Sequence, residues 1–250
     1  MTPDVVVDIG NTAIKWGRCA AGEVAESVAL PADDPAAWDK QAAHWGLGGS
    51  AGIWVLTSVH PARCSRLAGW LEQRGSAVRV LAEAHELPLH VSLERPDYVG
   101  IDRLLDAVAA NGLRPPGRPA VVVDAGSAIT VDWIDADGTF VGGAILPGLR
   151  LMVQALHDHT ALLPLIPAPQ TAPPAPGTST PAAMELGVYW SAVGGVLAVL
   201  AAYRRHFDAE PAVFLTGGDG PALVGPLGPG VTHWPEMTLE GIRLTAEALK

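Results

Sequence analysis

Asp8-Ile9-Gly10-Asn11-Thr12, with Lys15 shortly after, ends a run of three valines with a carboxylate, a glycine, an amide, a hydroxyl and an ammonium group. A tight turn of this make-up presents successive backbone N–H groups, and Gly10 permits a close approach that a side chain would obstruct. Phosphate oxygens are the ligand such a turn suits. Lys15 adds a point positive charge, while Asp8, which phosphate would repel, suits a hydrated Mg²⁺ that bridges to phosphate. A second turn of the same kind, Asp124-Ala125-Gly126-Ser127, again follows three valines. Either copy alone reads as an ordinary hairpin capped by Asp and Gly. Both together, with Asn-Thr and a spaced Lys after the first, point to phosphate binding. No Gly-x-x-x-x-Gly-Lys-Ser/Thr run occurs, which disfavours a P-loop nucleotide fold.

Transfer of a phosphoryl group needs an acceptor and a group to take its proton. Gly100-Ile101-Asp102-Arg103 stands at the start of a helical pattern between the two turns. The free N–H groups of a first helical turn suit an acidic side chain and an anion site. Asp102 could accept a hydroxyl proton there, and Arg103 could steer a carboxylate or the moving phosphoryl group. The plain alternative is an acidic residue and an arginine on a solvated helix face. Further on, Val213–Gly218 reads as a strand ending in a glycine pair, where a flat purine could lie on the backbone.

The elements that must position these groups repeat. Val5–Ile9 reads as a buried strand, followed by a second strand to Ala20, a reversal at Ala21-Gly22-Glu23-Val24 and a third strand to Leu30. Pro119–Ser127, Ala128–Asp135, a turn at Asp137-Gly138 and Phe140–Leu146 give the same strand, turn, strand, turn, strand order. Between the copies lie a strand at 52–59, an amphipathic helix from Ala62 stopped by Gly75, a strand at 77–82 and a helix from Gly100 to Leu113. After the second copy come a helix from Gly148 to Leu163, a proline-rich stretch from Pro164 to Pro181 and the uncharged run Leu186–Tyr203. The Val213 strand, a glycine- and proline-rich loop and a last helix over Thr238–Lys250 follow. The proline-rich stretch falls inside the second half, so it reads as a loop over the surface rather than a linker. Leu186–Tyr203 reaches the lower edge of a membrane span, but it is rich in Gly and Ala and reads as a helix buried between two layers. Two similar α/β halves imply a cleft between them that both acidic turns face.

The bulk numbers set limits. In 250 residues, 49% are apolar and 17% charged, the make-up of a globular protein with a real core. A formal charge of −10 argues against a nucleic-acid partner. Cys19 and Cys64 make neither a disulfide framework nor a zinc site, and read as reduced cytoplasmic thiols. No signal peptide is read before Val5. His157 and His159 sit two apart, on different sides of a helix, and read as solvated. Asp132, Asp135 and Asp137 lack the spacing of a calcium loop, and the eight tryptophans read as scattered packing residues.

Five motifs in order carry a resemblance over nearly the whole chain. They are "DIGNTAIK", "PDYVGIDR" with "AVAA", "VVVDAGSAIT", "GGAILPGL" and "TPAAMELG". Together they resemble the type III pantothenate kinases, members of the acetate and sugar kinase/Hsp70/actin superfamily. The resemblance implies two duplicated ribonuclease H-like (actin-like ATPase) domains, 1–113 and 114–250, with a cleft between them. It implies ATP-dependent phosphorylation of pantothenate at its terminal hydroxyl, the first step of coenzyme A synthesis. Asp8, Ile9, Gly10, Asn11, Thr12, Ala13, Ile14 and Lys15 would then hold ATP and its Mg²⁺, with Ser127 also touching ATP. Gly100, Ile101, Asp102 and Arg103 would line the pantothenate pocket, Asp102 as proton acceptor, and Thr180 would contact pantothenate. Asp124 would coordinate a monovalent cation, K⁺ or NH₄⁺. A cytoplasmic homodimer is implied, with the substrate pocket near the dimer interface and neither a nucleic acid nor a membrane as partner.

Two positions depart from the family. Ser127 stands where Thr is usual and keeps the hydroxyl, whereas Leu93 stands where a Tyr commonly contacts pantothenate; Tyr98 is nearby. Two other readings compete. One is a kinase of another small alcohol. The other is a non-catalytic regulatory relative, which should have lost Asp8, Lys15, Asp102 or Asp124; all four are present.

Overall fold

The computed structural model describes residues 1–47 and 52–249. In chain order the strands are β1 (Val5–Ile9), β2 (Ile14–Ala20), β3 (Glu23–Leu30), β4 (Ile53–Ser58), β5 (Ala77–Leu81), β6 (Ala120–Ala125), β7 (Ala128–Ile134), β8 (Phe140–Pro147), β9 (Ala212–Thr216) and β10 (Val231–His233). The helices are α1 (Pro35–His44), α2 (Pro61–Glu72), α3 (Ile101–Leu113), α4 (Leu149–Asp158), α5 (Thr180–Arg204), α6 (Gly220–Leu227) and α7 (Met237–Ala248). They form two compact units, Met1–Leu113 with Glu236–Lys250, and Arg114–Pro235.

The units share one sheet plan. The first sheet runs β3-β2-β1-β4-β5 and the second β8-β7-β6-β9-β10. In each, the valine strand is central, antiparallel to the strand that follows it and parallel to the later one. Val5, Val6 and Val7 are fully buried, as are Val121, Val122 and Val123. A strand covered on both faces has no polar side to alternate with, hence the unbroken apolar run. The duplicated plan is that of two ribonuclease H-like, actin-type lobes.

In the first unit, Val5, Val7 and Ile9 face a cluster that contains Trp16, Trp38, Trp45, Trp54 and Trp70. Trp16 packs edge-on to Trp54 at 4.9 Å and Trp38 to Trp70 at 5.7 Å. Five of the eight tryptophans therefore form one core cluster, where the sequence reads as scattered. The opposite face is covered by α7, and Gly17 is what admits it: a Cβ there would come within 3.1 Å of Leu239 and 2.8 Å of Val24. Thr238 Oγ1 donates to the buried Asp106 on α3 at 2.8 Å, and the Val24 N–H donates to Glu240 at 2.7 Å. The last helix, assigned from sequence to the second domain, thus lies with the first unit, because it supplies the second layer that β1–β4 would otherwise lack. Lys250, included in that helix from sequence, lies outside the described residues.

In the second unit, α5 lays Met184, Val188, Ala192, Val196 and Leu200 against the sheet, one residue per turn. Trp190 and Leu197 on its other side are exposed, so α5 is covered along one stripe and not between two layers as its composition suggested. It is long and apolar enough to cross a membrane by length and composition, with a third of its most apolar window buried. The proline-rich stretch runs over this unit, tucking Ile166 and Pro169 into it. Three elements escape the sequence reading. Helix α1 had a signal: Asp34 caps it, accepting from the N–H groups of Ala36 and Ala37, with Pro35 in its first turn. Helix α6 carries Pro226 and two glycines and forms through burial of Ala222 and Leu223, against its propensity; β10 is only three residues long.

Candidate active site

Alternation along β1 sends Asp8 to the face opposite the tryptophan cluster. Across the hairpin Asp8 lies in register with Lys15, and on its other side with Thr57 of β4. Between the strands, the Gly10 N–H donates to Ala13 O at 3.1 Å, which closes the turn and leaves Asn11 and Thr12 exposed at its tip. The side chains of Ile9 and Ile14 are fully buried, so these two members of the proposed ATP-binding run anchor the turn and meet a ligand only through backbone.

Asp8 pays for its position in acidity. Burial raises its pKa from 3.8 to about 6; the Lys15 ammonium pulls it down, and the negative charge of Asp102 pushes it up. Asp8 and Lys15 are thus paired across the hairpin, and Asp102, in the same unit, is near enough for its charge to act on Asp8. A carboxylate whose charge is poorly solvated is a fitting partner for a divalent cation.

Asp102 occupies the first turn of α3, as its spacing predicted. Its Oδ1 accepts the Arg103 N–H at 2.9 Å, so the carboxylate folds over the helix start. Gly100 makes room for it, since a Cβ at that position would lie 2.5 Å from Asp102 Oδ1. Leu93 is half-buried, and Tyr98 is 75% exposed with the Arg95 guanidinium stacked 3.7 Å from its ring centre. Tyr98 is thus engaged locally by Arg95.

In the second unit, Asp124 is the last residue but one of β6 and Ser127 is exposed at the tip of the β6–β7 turn. Two glycines that the motifs did not explain pack against this turn. A Cβ on Gly148, the residue capping α4, would come 2.5 Å from the carbonyl oxygens of Gly126 and Ser127. Gly217, at φ +90, sits against the Asp124 carboxylate and Ala125 O, too close for any side chain. Of the glycine pair read as a purine platform, Gly217 therefore supports the turn, while Gly218 has open space around it.

Sequence reasoning also missed the oxygens around Asp124. Thr130 and Thr216 lie directly opposite it on the two neighbouring strands, which puts all three side chains on one face. Thr130 Oγ1 and Thr216 Oγ1 are buried without a hydrogen-bond partner, as is Asp219 Oδ2, whose backbone N–H donates to Ala125 O at 2.8 Å. Buried polar atoms are almost always satisfied, and two hydroxyls on the same face as a carboxylate are hard oxygen donors of the kind that suits an alkali cation. The signal was available only as strand register, which spacing along one strand does not reveal.

Thr180 is exposed in the first turn of α5, where Ser179 caps the helix. It lines a cavity of about 1020 Å³ with Leu151, Met152, Leu156, Leu163 and Met184. Of the residues set aside, His159 lines this cavity as well. His157 and His159 are exposed, with His157 Nδ1 3.0 Å from Leu163 O. Asp135 and Asp137 accept the N–H groups of Ala136 and Thr139 in the β7–β8 turn. Burial pushes the Cys19 thiol up to about 12 and raises that of Cys64, which leaves both without thiolate character.

The family model for type III pantothenate kinases matches residues 5–202. A type III pantothenate kinase of Synechococcus sp. (strain JA-2-3B'a(2-13)) is 36% identical over 241 residues, 94% of this chain and 85% of its own. One from Halorhodospira halophila (strain DSM 244 / SL1) is 35% identical over 248 residues, 95% of each chain. Among solved structures, one described as a Baf family transcriptional activator from Campylobacter jejuni superposes with a TM-score of 0.60 at 20% identity, covering 98% of both chains. The activator of the 2-hydroxyisocaproyl-CoA dehydratase from Clostridium difficile, solved with ADPNP, gives a TM-score of 0.51 at 14% identity, covering 100% of this chain and 94% of that one. These two structural likenesses speak for the fold.

Proposed function

The chain belongs to the type III pantothenate kinase family, and we propose how its own residues divide the ATP-dependent phosphorylation of pantothenate among them. The observations that carry the assignment of roles are the register pairing of Asp8 with Lys15 and the effect of the Asp102 charge on Asp8.

The backbone of residues 8–15 and the Lys15 ammonium hold the β- and γ-phosphates of ATP. Ser127, on its exposed turn, adds a hydroxyl contact to the nucleotide. Asp8 would hold the Mg²⁺, which would neutralise charge on the phosphates. Arg103 and Thr180 orient pantothenate. Asp102 takes the proton of its primary alcohol as that oxygen attacks the γ-phosphorus in line; the bond from phosphorus to the β,γ-bridging oxygen breaks, and ADP leaves. Asp124 would hold the monovalent cation, with the hydroxyls of Thr130 and Thr216 and the carboxylate of Asp219 as candidate further oxygen donors. Their buried, unpartnered oxygens support this assignment.

The functional unit is a cytoplasmic homodimer. The apolar cavity beside Thr180, together with Leu162 at 91% and Trp190 at 49% exposure, supports a partner surface on the second unit. The two free cysteines suit a reducing compartment. The test of the reaction is ADP release measured with and without pantothenate. Release that depends on pantothenate supports the assignment; equal release in its absence, or dependence on another alcohol alone, overturns it.

A further inference from the structure

Three successive carbonyls of the first phosphate turn are tied to the end of β4 and the first turn of α2. Ile9 O accepts from the Val59 N–H and from Ser58 Oγ, each at 3.3 Å. Arg63 Nη1 then donates to Gly10 O at 3.2 Å and to Asn11 O at 2.6 Å. In a trans peptide the C=O and N–H point to opposite sides. The carbonyls of Gly10 and Asn11 belong to the peptides whose N–H groups are those of Asn11 and Thr12. Turning both carbonyls onto one guanidinium nitrogen therefore aims those two N–H groups to the side of the turn away from Arg63, the side on which an anion would be received. The positive charge behind the peptides also polarises them and strengthens the N–H groups as donors.

Arg63 is itself held. Its Nη2 lies 3.6 Å from Asp33 Oδ2, and Asp33 is shared with Arg66 at 3.1 Å. Its side chain is 21% exposed, whereas that of Asp33 is 56% exposed, so the arginine is the sheltered member of the pair. Its place in the first turn of α2, behind Pro61, fixes the guanidinium against the turn.

We propose that Arg63 is a positioning residue for ATP, setting the direction of the Asn11 and Thr12 N–H groups from behind the turn without touching the nucleotide. This rests on the reading that residues 8–15 hold the phosphates, and the experiment separates the two. In the full-length protein, binding of Mg²⁺ with a non-hydrolysable ATP analogue is measured by calorimetry for wild type, Arg63→Ala, Arg63→Lys and Lys15→Ala. The Michaelis constants for ATP and pantothenate are measured alongside.

Arg63→Ala is expected to weaken nucleotide binding about tenfold and to leave the pantothenate constant within about twofold of wild type. Arg63→Lys, which keeps a charged donor, should recover part of the loss. Nucleotide affinity within about twofold of wild type in Arg63→Ala, with Lys15→Ala clearly weakened, overturns the inference and leaves the phosphate reading standing. Unchanged affinity in Lys15→Ala as well overturns both. If Arg63→Ala does not fold, Arg63→Lys and Asp33→Asn decide: a loss of about two- to fivefold in nucleotide affinity supports the proposal, and wild-type affinity in both refutes it.

Discussion

Asp8→Asn is expected to stabilise the nucleotide-free protein at pH 8 even as it removes turnover, because the position is built for a charge that only ligands make comfortable. Burial lifts the Asp8 pKa from 3.8 to about 6 against the pull of Lys15. The folded chain therefore holds this proton more tightly than the unfolded chain does. Well below pH 3.8 both states are protonated and the site costs nothing. As pH rises from 3.8 to 6 the unfolded chain ionises first, stability falls, and above 6 the loss is complete. At about 1.36 kcal/mol per pH unit the gap amounts to about 3 kcal/mol, an upper figure because Asp8 keeps some contact with solvent. Asparagine has no charge to desolvate. At about 2–4 °C per kcal/mol for a chain of this size, a recovered 1–3 kcal/mol raises the melting temperature by about 2–12 °C. Thermal unfolding of both proteins at pH 8 and pH 4, without nucleotide or Mg²⁺, reads this directly. The variant should melt higher at pH 8, and the difference should shrink at pH 4. A variant no more stable than wild type at pH 8, or a difference that ignores pH, would refute the reasoning.

Gly100→Ala should lower kcat by at least about tenfold while nucleotide affinity holds, since the new Cβ would stand 2.5 Å from Asp102 Oδ1 and displace the carboxylate; steady-state kinetics with calorimetry checks it. Thr216→Val should raise the K⁺ concentration needed for half-maximal activity by about fivefold, and should reduce the rise in melting temperature that KCl gives the wild-type protein. Equal KCl responses in the two proteins would take Thr216 out of the cation site.

Much of this site could be read from the chain because its chemistry is local. The Asp8 and Asp124 turns, the valine strands beneath them and the placing of Asp102 in a first helical turn depend on neighbours within a few residues. The structure bears out the duplicated sheets, down to the same strand order in both units. What stayed hidden depends on distant partners. Helix α7 looks like a late element of the second half, yet its place is set by Gly17 and Asp106 in the first unit. The tryptophans look scattered because Trp16 and Trp70 meet only when β2 and α2 close on the same face, 6.0 Å between ring centres. Thr130 and Thr216 carry no motif, and only strand register sets them beside Asp124. Arg63 is silent in sequence for the same reason, since its partners are backbone carbonyls 52 and 53 residues away. The apolar composition of α5 suggested full enclosure, but it does not say which side of the helix the sheet will cover.

The most direct test of the account is pantothenate-dependent ADP release by wild type and Asp102→Asn, with nucleotide affinity measured on the same samples. The account predicts that the variant binds the ATP analogue as wild type does and loses about 10²–10⁴-fold in kcat. Turnover within a few-fold of wild type would remove Asp102 from the role of proton acceptor and, with it, the mechanism built around the Asp8, Lys15 and Asp102 group.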